Sequence, residues 1–311
     1  MNYFAWHLSQ TLLYLKGNRK EDIVLLGDGF FARGFLHTID HNRFNITQIY
    51  KDKFINPQMM ITDTPSFHIR NLFKPEVNEI QMTIKALDIS KSVVRVNGQP
   101  FNYDHLVIGL GAQKSLAEWK QDIKTFKYSS TLHIVGMGPT GIELATVYAS
   151  QPGTKIHLYD TLSQDKVLSY LKPEHKNMVM NTLKQLNIDT HYETRYQGTG
   201  GILCVGTQPN KLTSGYKVDA NLALEMDGSV YMGGDCGNTG FVKSGQVAYQ
   251  QGVYVAKKLN GAIGPDEPFV YKHNGLALNI GNNQVLVEGH RVIPDGVYPT
   301  LIIKIYSLFF V

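Results

Sequence analysis

The sequence predicts an α/β fold made of two doubly wound units, one nested within the other, with antiparallel hairpins between some strands. Two observations carry this prediction. Two glycine-rich segments each follow a buried-strand pattern and precede a helix pattern: IVLLGDGFFARG from Ile23 and HIVGMGPTGIE from His133. The order strand, turn, helix, strand also occurs twice, which indicates an internal repeat. A helix that begins at such a turn can bind phosphate, so we interpret the units as two Rossmann-like dinucleotide-binding domains.

Composition and charge exclude several other classes. The chain has 311 residues, of which 43% are hydrophobic and 18% charged, enough for about two domains with sizeable cores. A net charge of +4 is too small to favour nucleic-acid binding. Cys204 and Cys236 form no CxxC pair and the histidines show no ligand spacing, so we expect no redox dithiol, no disulfide framework and no metal site.

The first unit is predicted from buried runs that are separated by turn signals. We expect a strand over Ile23–Gly27, a helix over about 29–40, a strand over Ile46–Tyr50 and a long polar loop over Asp52–Phe73. A meander of antiparallel strands over Ile80–Val96, with an Asn97-Gly98 turn, and a last strand over His105–Gly109 follow.

The second unit repeats the pattern, and the chain then returns to the first unit. Its strands are expected over Leu132–Gly136, Lys155–Asp160, Ile188–His191 and Gly201–Val205. Its helices are expected over Pro139–Ser150 and about 173–186. A returning strand at Val230–Gly234 and a helix over about 242–259 complete the first unit.

The second glycine turn has the more complete dinucleotide pattern. Gly136, Gly138 and Gly141 form GxGxxG between a strand and a helix, and they allow the tight turn, the approach of a pyrophosphate and close helix packing. Asp160 ends the next strand, where an acid hydrogen-bonds a ribose hydroxyl and repels the additional phosphate of NADP. The alternative is a purely structural glycine turn.

The first glycine turn departs from the pattern. Gly27 and Gly29 are present, and Ala32 takes the third position, which the pattern tolerates. The next strand ends in Tyr50 and Lys51 instead of an acid, so the ribose contact is absent or comes from Asp52. We count Lys51 with the candidate cofactor-binding residues.

Later glycines support nucleotide binding by the first unit. Gly109 and Gly111 end a strand, where the backbone can approach a cofactor, and Gly234 with Asp235 follows the returning strand. Asp235 is a candidate for holding the ribityl hydroxyls of a flavin, or alternatively a helix cap. The helix near Val242, with Val247 in its first turns, would direct its positive end at the flavin ring.

In this order the segments resemble the type II NADH dehydrogenases, which are single-subunit NADH:quinone oxidoreductases among the two-dinucleotide-domain flavoprotein reductases. GMGPTGIE matches their NADH turn, including Glu143, and GTQPN with Gly206 resembles their segment near the junction of flavin and nicotinamide. SGQVAYQQG matches the stretch that lines their quinone site, with Gln246, Gln250 and Gln251 in place. NPQMMITDTPSFHIRNLF and FVYKHNGLALNIG resemble two further segments of the family.

The resemblance implies bound FAD and NADH, and a quinone or other small electron acceptor as partner. It implies an FAD domain over 1–129 and 205–268, an NADH domain over 130–204, and a C-terminal segment over 269–311 for a membrane surface or a homodimer contact. Glu143 would serve a proton path near the nicotinamide, or would only complement the helix dipole. Gln246, Gln250 and Gln251 would orient the quinone, or would be ordinary surface residues.

Several expectations stay open at the level of sequence. The apolar ends, MNYFAWHLSQTLLYLKGNRK and LIIKIYSLFFV, would lie peripherally on a mitochondrial or other inner membrane, or would pack internally in a cytoplasmic protein. The second domain is shorter than in the family. A soluble diaphorase or flavin reductase, and a non-catalytic flavin- or nucleotide-binding descendant, are therefore alternatives to the quinone reductase.

Overall fold

A computed structural model describes residues 19–52, 77–112, 130–149, 152–198, 200–206, 210–241, 243–273, 277–280 and 285–287. They form two compact units: one from the described parts of 1–53, 73–111 and 211–271, the other from those of 112–210 and 272–311. Along the sequence, residues 112–210 of the second unit are thus inserted between two parts of the first. The predicted α/β class with nested units is confirmed. The domain boundaries at 129, 204 and 268 stay predictions.

The described strands are, in chain order, β1 Glu21–Leu26, β2 Phe44–Tyr50, β3 Val77–Gln81, β4 Leu87–Ser90, β5 Val93–Val96, β6 Gln99–Asn102, β7 His105–Ile108, β8 Thr131–Val135, β9 Lys155–Tyr159, β10 Asp189–His191, β11 Gly201–Leu203, β12 Ala223–Leu224, β13 Asp227–Met232, β14 Ala277–Asn279 and β15 Val285–Val287. The described α-helices are α1 Phe30–Thr38, α2 Pro139–Ala149, α3 Pro173–Gln185 and α4 Gly245–Leu259.

The first unit is built on a six-stranded sheet in the order β12-β13-β7-β1-β2-β3, parallel except for the antiparallel β12–β13 pair. Residues 23–26 of β1 are buried, as expected of a central parallel strand. On one face α1 packs so closely against α4 that a Cβ at Gly34 would lie 2.2 Å from the carbonyl oxygen of Tyr249. Only glycine permits that approach.

The antiparallel part differs from the prediction at its beginning. β4, β5 and β6 form a separate three-stranded antiparallel meander, and the β5–β6 turn is at Asn97-Gly98, both with positive φ, as predicted. β3, however, pairs with β2 in the parallel sheet, with Ile80 beside Ile49. The sequence signal failed here because alternation shows one buried face and not the direction of the partner strand.

The second unit has a four-stranded parallel sheet in the order β10-β9-β8-β11. One face buries Leu132, Ile134 and Leu158 in a core shared with residues of α2 and α3. Leu278 and Ile280, from the predicted C-terminal segment, join that core. No helix in the described ranges is long and apolar enough to cross a membrane. Residues 1–18 of the predicted N-terminal membrane contact and all of the C-terminal one, 301–311, lie outside those ranges. So does most of the loop predicted over Asp52–Phe73.

Candidate functional site

The glycine turn of the second unit has the tight geometry that its sequence predicts. Gly136 has φ +106°, and a Cβ there would lie 2.5 Å from the carbonyl oxygen of Cys204. A Cβ at Gly141 would lie 1.8 Å from the carbonyl oxygen of Gly136, so the first turn of α2 packs directly against the end of β8. No atom lies within 4 Å of a Cβ built at Gly138. This open space lets a phosphate approach the backbone.

Asp160 is fixed beside this turn at the carboxyl end of β9. Its Oδ2 accepts a hydrogen bond of 2.7 Å from the backbone N–H of Met137, and its Oδ1 accepts one of 2.9 Å from that of Leu162. Each carboxylate oxygen has a second lone pair. The side chain is therefore held with acceptor capacity to spare, and its contact with a ribose hydroxyl stays a prediction.

Glu143 lies on α2, half-buried and beyond its first turn. The alternative that it only complements the helix dipole is therefore weak, since that effect is confined to the first turn. Its charge reaches Tyr170: burial raises the pKa of that phenol, and the carboxylate of Glu143 raises it further. The role of Glu143 in a proton path near the nicotinamide stays a prediction.

The glycine turn of the first unit also requires glycine. Gly27 has φ +110°, and a Cβ there would lie 2.2 Å from the carbonyl oxygen of Gly109. Gly29 caps α1, and no atom lies within 4 Å of a Cβ built there or at Gly111. Ala32 is fully buried behind the turn. Phosphate oxygens can thus approach the N-terminus of α1, so these residues fit the pyrophosphate of a dinucleotide.

Phe31, an aromatic residue in the first turn that is bulky for the pattern, fills a socket of glycines. Its side chain is 2% exposed. A Cβ at Gly109 would lie 2.6 Å from Cδ1 of Phe31, and a Cβ at Gly233 would lie 2.3 Å from its Cε2. The ring is thus core between the ends of β7 and β13 and the helices. It does not reach into the open space at Gly29 and Gly111.

Gln48 and Asp28 form a polar pair that sequence reasoning missed. The fully buried Gln48 donates from Nε2 to the carbonyl oxygen of Gly27 at 2.8 Å and to Oδ1 of the buried Asp28 at 3.2 Å. These bonds fix the carbonyl side of the turn, because a buried amide left unpaired is costly. The available signal was one glutamine within the apolar run of β2.

β2 ends at Tyr50, and the first acid after it is Asp52. The buried Tyr50 donates its hydroxyl to Glu79 at 2.7 Å. The side chain of Lys51 is 67% exposed, and its ammonium lies 3.7 Å from Asp52. The contact of Lys51 with a cofactor stays a prediction.

Gly234 and Asp235 form a short 3-10 turn after β13, and Gln251 holds that turn. The fully buried Gln251 accepts a hydrogen bond of 2.7 Å from the N–H of Gly234 and donates one of 3.1 Å to Thr239. Both ends of its amide are hydrogen-bonded, so Gln251 holds this turn. Its contact with an acceptor stays a prediction. Val247 is buried, and its N–H donates to the cap residue Ser244.

Gln246 and Gln250 remain accessible near the start of α4. Both are half-buried, and the hydroxyl of Tyr271 donates to Oε1 of Gln246. The ring of Phe241 lies 6.4 Å from that of Tyr271, in a T-shaped arrangement. An amide beside aromatic rings can bind a planar carbonyl compound.

Gly206, predicted near the cofactors, has φ +89° and no atom within 4 Å of a Cβ built there.

The remaining titratable candidates do not point to thiol or metal chemistry. Burial raises the pKa of Cys236 to about 11 and that of Cys204 to about 12, so neither is a reactive thiolate at neutral pH. Among the described residues no group of three histidine, cysteine, aspartate or glutamate side chains is arranged to hold a metal ion.

Comparison with known proteins agrees with this geometry. The profile of the pyridine nucleotide-disulphide oxidoreductases matches residues 21–201. The chain is 22% identical to the external NADH-ubiquinone oxidoreductase 2, mitochondrial, of Saccharomyces cerevisiae, over 81% of this chain but only 64% of that protein. It is also 22% identical to a probable NADH dehydrogenase of Dictyostelium discoideum, over 92% of this chain and 87% of the relative.

The solved structure of NDH2 from Plasmodium falciparum in complex with NADH has a similar fold. Its TM-score is 0.74 at 15% sequence identity, covering 94% of this chain and 95% of that one. The resemblance to the type II NADH dehydrogenases that the sequence predicts is confirmed by these relatives.

Proposed function

The chain belongs to the pyridine nucleotide-disulphide oxidoreductase family, and on that premise we propose that it is an FAD-dependent NADH dehydrogenase that delivers electrons to a quinone. One observation carries the nucleotide half of the proposal. Asp160 is fixed by the backbone of the glycine turn, beside the open space at Gly138. An acid at that place accepts the ribose hydroxyls of NADH and repels the phosphate of NADPH.

The residues of the first unit would hold FAD. Gly27, Gly29, Gly109, Gly111, Gly234 and Asp235 lie at the carboxyl ends of neighbouring parallel strands, where nucleotides bind in open α/β sheets. Bound FAD would accept a hydride and release electrons to a second substrate. The protein's share is to place the phosphates at the N-terminus of α1 and to hold the Gly234 turn through Gln251.

We assign the acceptor to the start of α4. Gln246 is held by Tyr271, and Gln250 lies one turn further along the helix. Their amides can donate hydrogen bonds to the carbonyl oxygens of a quinone, which gain electron density on reduction. The name of the yeast relative, an NADH-ubiquinone oxidoreductase, supports a quinone as the acceptor.

The test is quinone-dependent oxidation of NADH by the full chain loaded with FAD. We expect turnover with a short-chain quinone and a clear preference for NADH over NADPH. Flavin that NADH reduces but that only ferricyanide or dyes reoxidise would favour the soluble diaphorase alternative. FAD that is retained but not reduced by NADH, or failure to retain FAD, would favour the non-catalytic alternative.

A further inference from the structure

The second unit carries a cluster of aromatic rings on the sheet face opposite its apolar core. We call this cluster, formed by His133, His157, Tyr159, His191 and Tyr196, the ring face. Strand register explains it, because His133 is level with His157, and Tyr159 is level with His191. All five side chains are half-buried. Three titratable imidazoles therefore lie together where no part of the proposed reaction uses them.

Two of these imidazoles are joined directly. Nδ1 of His157 lies 3.1 Å from Nε2 of His191, and the ring centroids are 5.4 Å apart with planes inclined by 22°. The distance between the two ring centroids exceeds the distance between the two nitrogens by about two ring radii. The nitrogens therefore lie between the centroids, and the rings meet edge to edge. One nitrogen must donate and the other accept, and two imidazolium rings cannot form this bond.

The surroundings add both signs of charge. Oδ2 of Asp189 lies 3.6 Å from Nδ1 of His157 and 3.1 Å from the ammonium of Lys155. His133 stacks on His157 at 5.1 Å, and its Nδ1 lies 3.1 Å from the hydroxyl of Tyr159.

Burial is the largest influence on His157, and it lowers the pKa of the imidazole. Asp189 acts in the opposite direction, while His133, Lys155 and His191 lower the pKa further. Tyr196 completes the set by stacking on His133 at 5.2 Å.

The strand that bears His191 is bonded to the residue that we assign to the ribose. The backbone N–H of Asp160 donates to the carbonyl oxygen of His191 at 2.9 Å, and that of Thr194 donates to the carbonyl oxygen of Asp160 at 2.9 Å. The N–H of Glu193 donates to Leu162, whose own N–H binds the Asp160 carboxylate. A displacement of β10 would therefore move Asp160.

We propose that His191 is a positioning residue for the dinucleotide: its bond to His157 holds the strand end that carries Asp160, and protonation of both imidazoles weakens nucleotide binding. This inference rests on the dinucleotide site of the proposed function.

The sign follows from linkage. An imidazole whose pKa is lowered in the folded unit binds fewer protons than the free side chain. One proton leaves the bond in place, because an imidazolium can donate to a neutral imidazole. The contribution of the pair is therefore complete above the ordinary histidine pKa of about 6.5 and is lost as the pH falls through the lowered pKa of His157. Each coupled proton can weaken binding by at most about tenfold per pH unit.

The experiment is calorimetric titration of the full chain with NAD+ at pH 7.5 and at pH 5.5. We expect the Kd for NAD+ to rise roughly three- to tenfold at the lower pH, because NAD+ binding there requires the pair to release about one proton. His157→Asn and His191→Gln place an amide at the bonding nitrogen but cannot take up a proton. In each variant we expect the ratio of the two Kd values to fall to near one.

A matched control is His175→Gln on α3, outside the ring face, which should keep the wild-type ratio. Proton NMR titration should show the imidazole resonance of His157 shifting over the same pH range as the Kd. Wild-type protein that binds NAD+ equally at both pH values overturns the inference and leaves the proposed function standing. Variants that keep the wild-type ratio also overturn it. No binding of NAD+ at pH 7.5 overturns the proposed function itself.

Discussion

Replacing Phe31 with Ala tests how the first unit is assembled. The ring is 2% exposed and fills the socket between Gly109 and Gly233, so its removal leaves a cavity that backbone encloses on two sides. Truncations of buried phenylalanines cost about 3–5 kcal/mol. We expect a loss in that range, because the glycines have no side chains that could fill the space.

The opposite change should also destabilise the unit. A Cβ at Gly233 would lie 2.3 Å from Cε2 of Phe31, so Gly233→Ala overpacks the socket and should cost about 1–3 kcal/mol. Gly233 has φ −154°, an extended backbone that any residue adopts, so this cost comes from the clash. With Phe31→Ala in the background, Gly233→Leu should instead recover stability by filling the vacated volume.

Urea unfolding followed by circular dichroism measures each variant, and the double-mutant cycle gives the coupling between the two positions. Phe241→Ala is a suitable control, since Phe241 is 38% exposed and its loss should cost much less. Phe31→Ala should also lower FAD retention, because the same glycines border the nucleotide turn. A cost below about 1 kcal/mol for Phe31→Ala, or additive effects in the cycle, would refute this account of the socket.

Three further outcomes follow from the site. Asp160→Ala should weaken NADH binding by about 1.5–3 kcal/mol and relax discrimination against NADPH, measured as Kd for both nucleotides; an unchanged preference rejects the ribose role. Gln250→Leu should slow quinone reduction while sparing flavin reduction by NADH, measured as separate half-reactions in stopped flow; an equal fall in both rejects the acceptor assignment. Deletion of residues 297–311 should reduce co-sedimentation with anionic liposomes, and equal sedimentation of both forms counts against a C-terminal anchor.

The sequence predicted the parts of the site whose signals are local. Gly136, Gly138 and Gly141 act within one turn, and their spacing alone specifies the conformation that the structure has. The position of Asp160 could also be predicted locally, because this residue directly follows the short strand β9. The helices were also placed to within a few residues, because α2 and α3 begin at Pro139 and Pro173, which favour the first helical turn.

Contacts between distant residues could not be read from the sequence. The fit of Phe31 depends on Gly233, which lies about two hundred positions away in the sequence. Gln251 belongs to a stretch that the family resemblance assigns to the quinone, and its bond to Gly234, seventeen positions earlier, could not be predicted from that stretch. The ring face was missed because residues that alternate along each strand form a cluster only when the strands pair in register.

Anaerobic titration of the FAD-loaded full chain with NADH tests the central claim most directly, because it isolates hydride transfer from the choice of acceptor. We expect the flavin absorbance to bleach with about one equivalent of NADH, since each hydride carries the two electrons that FAD accepts. Flavin that stays oxidised in excess NADH, or protein that retains no FAD, would contradict the account.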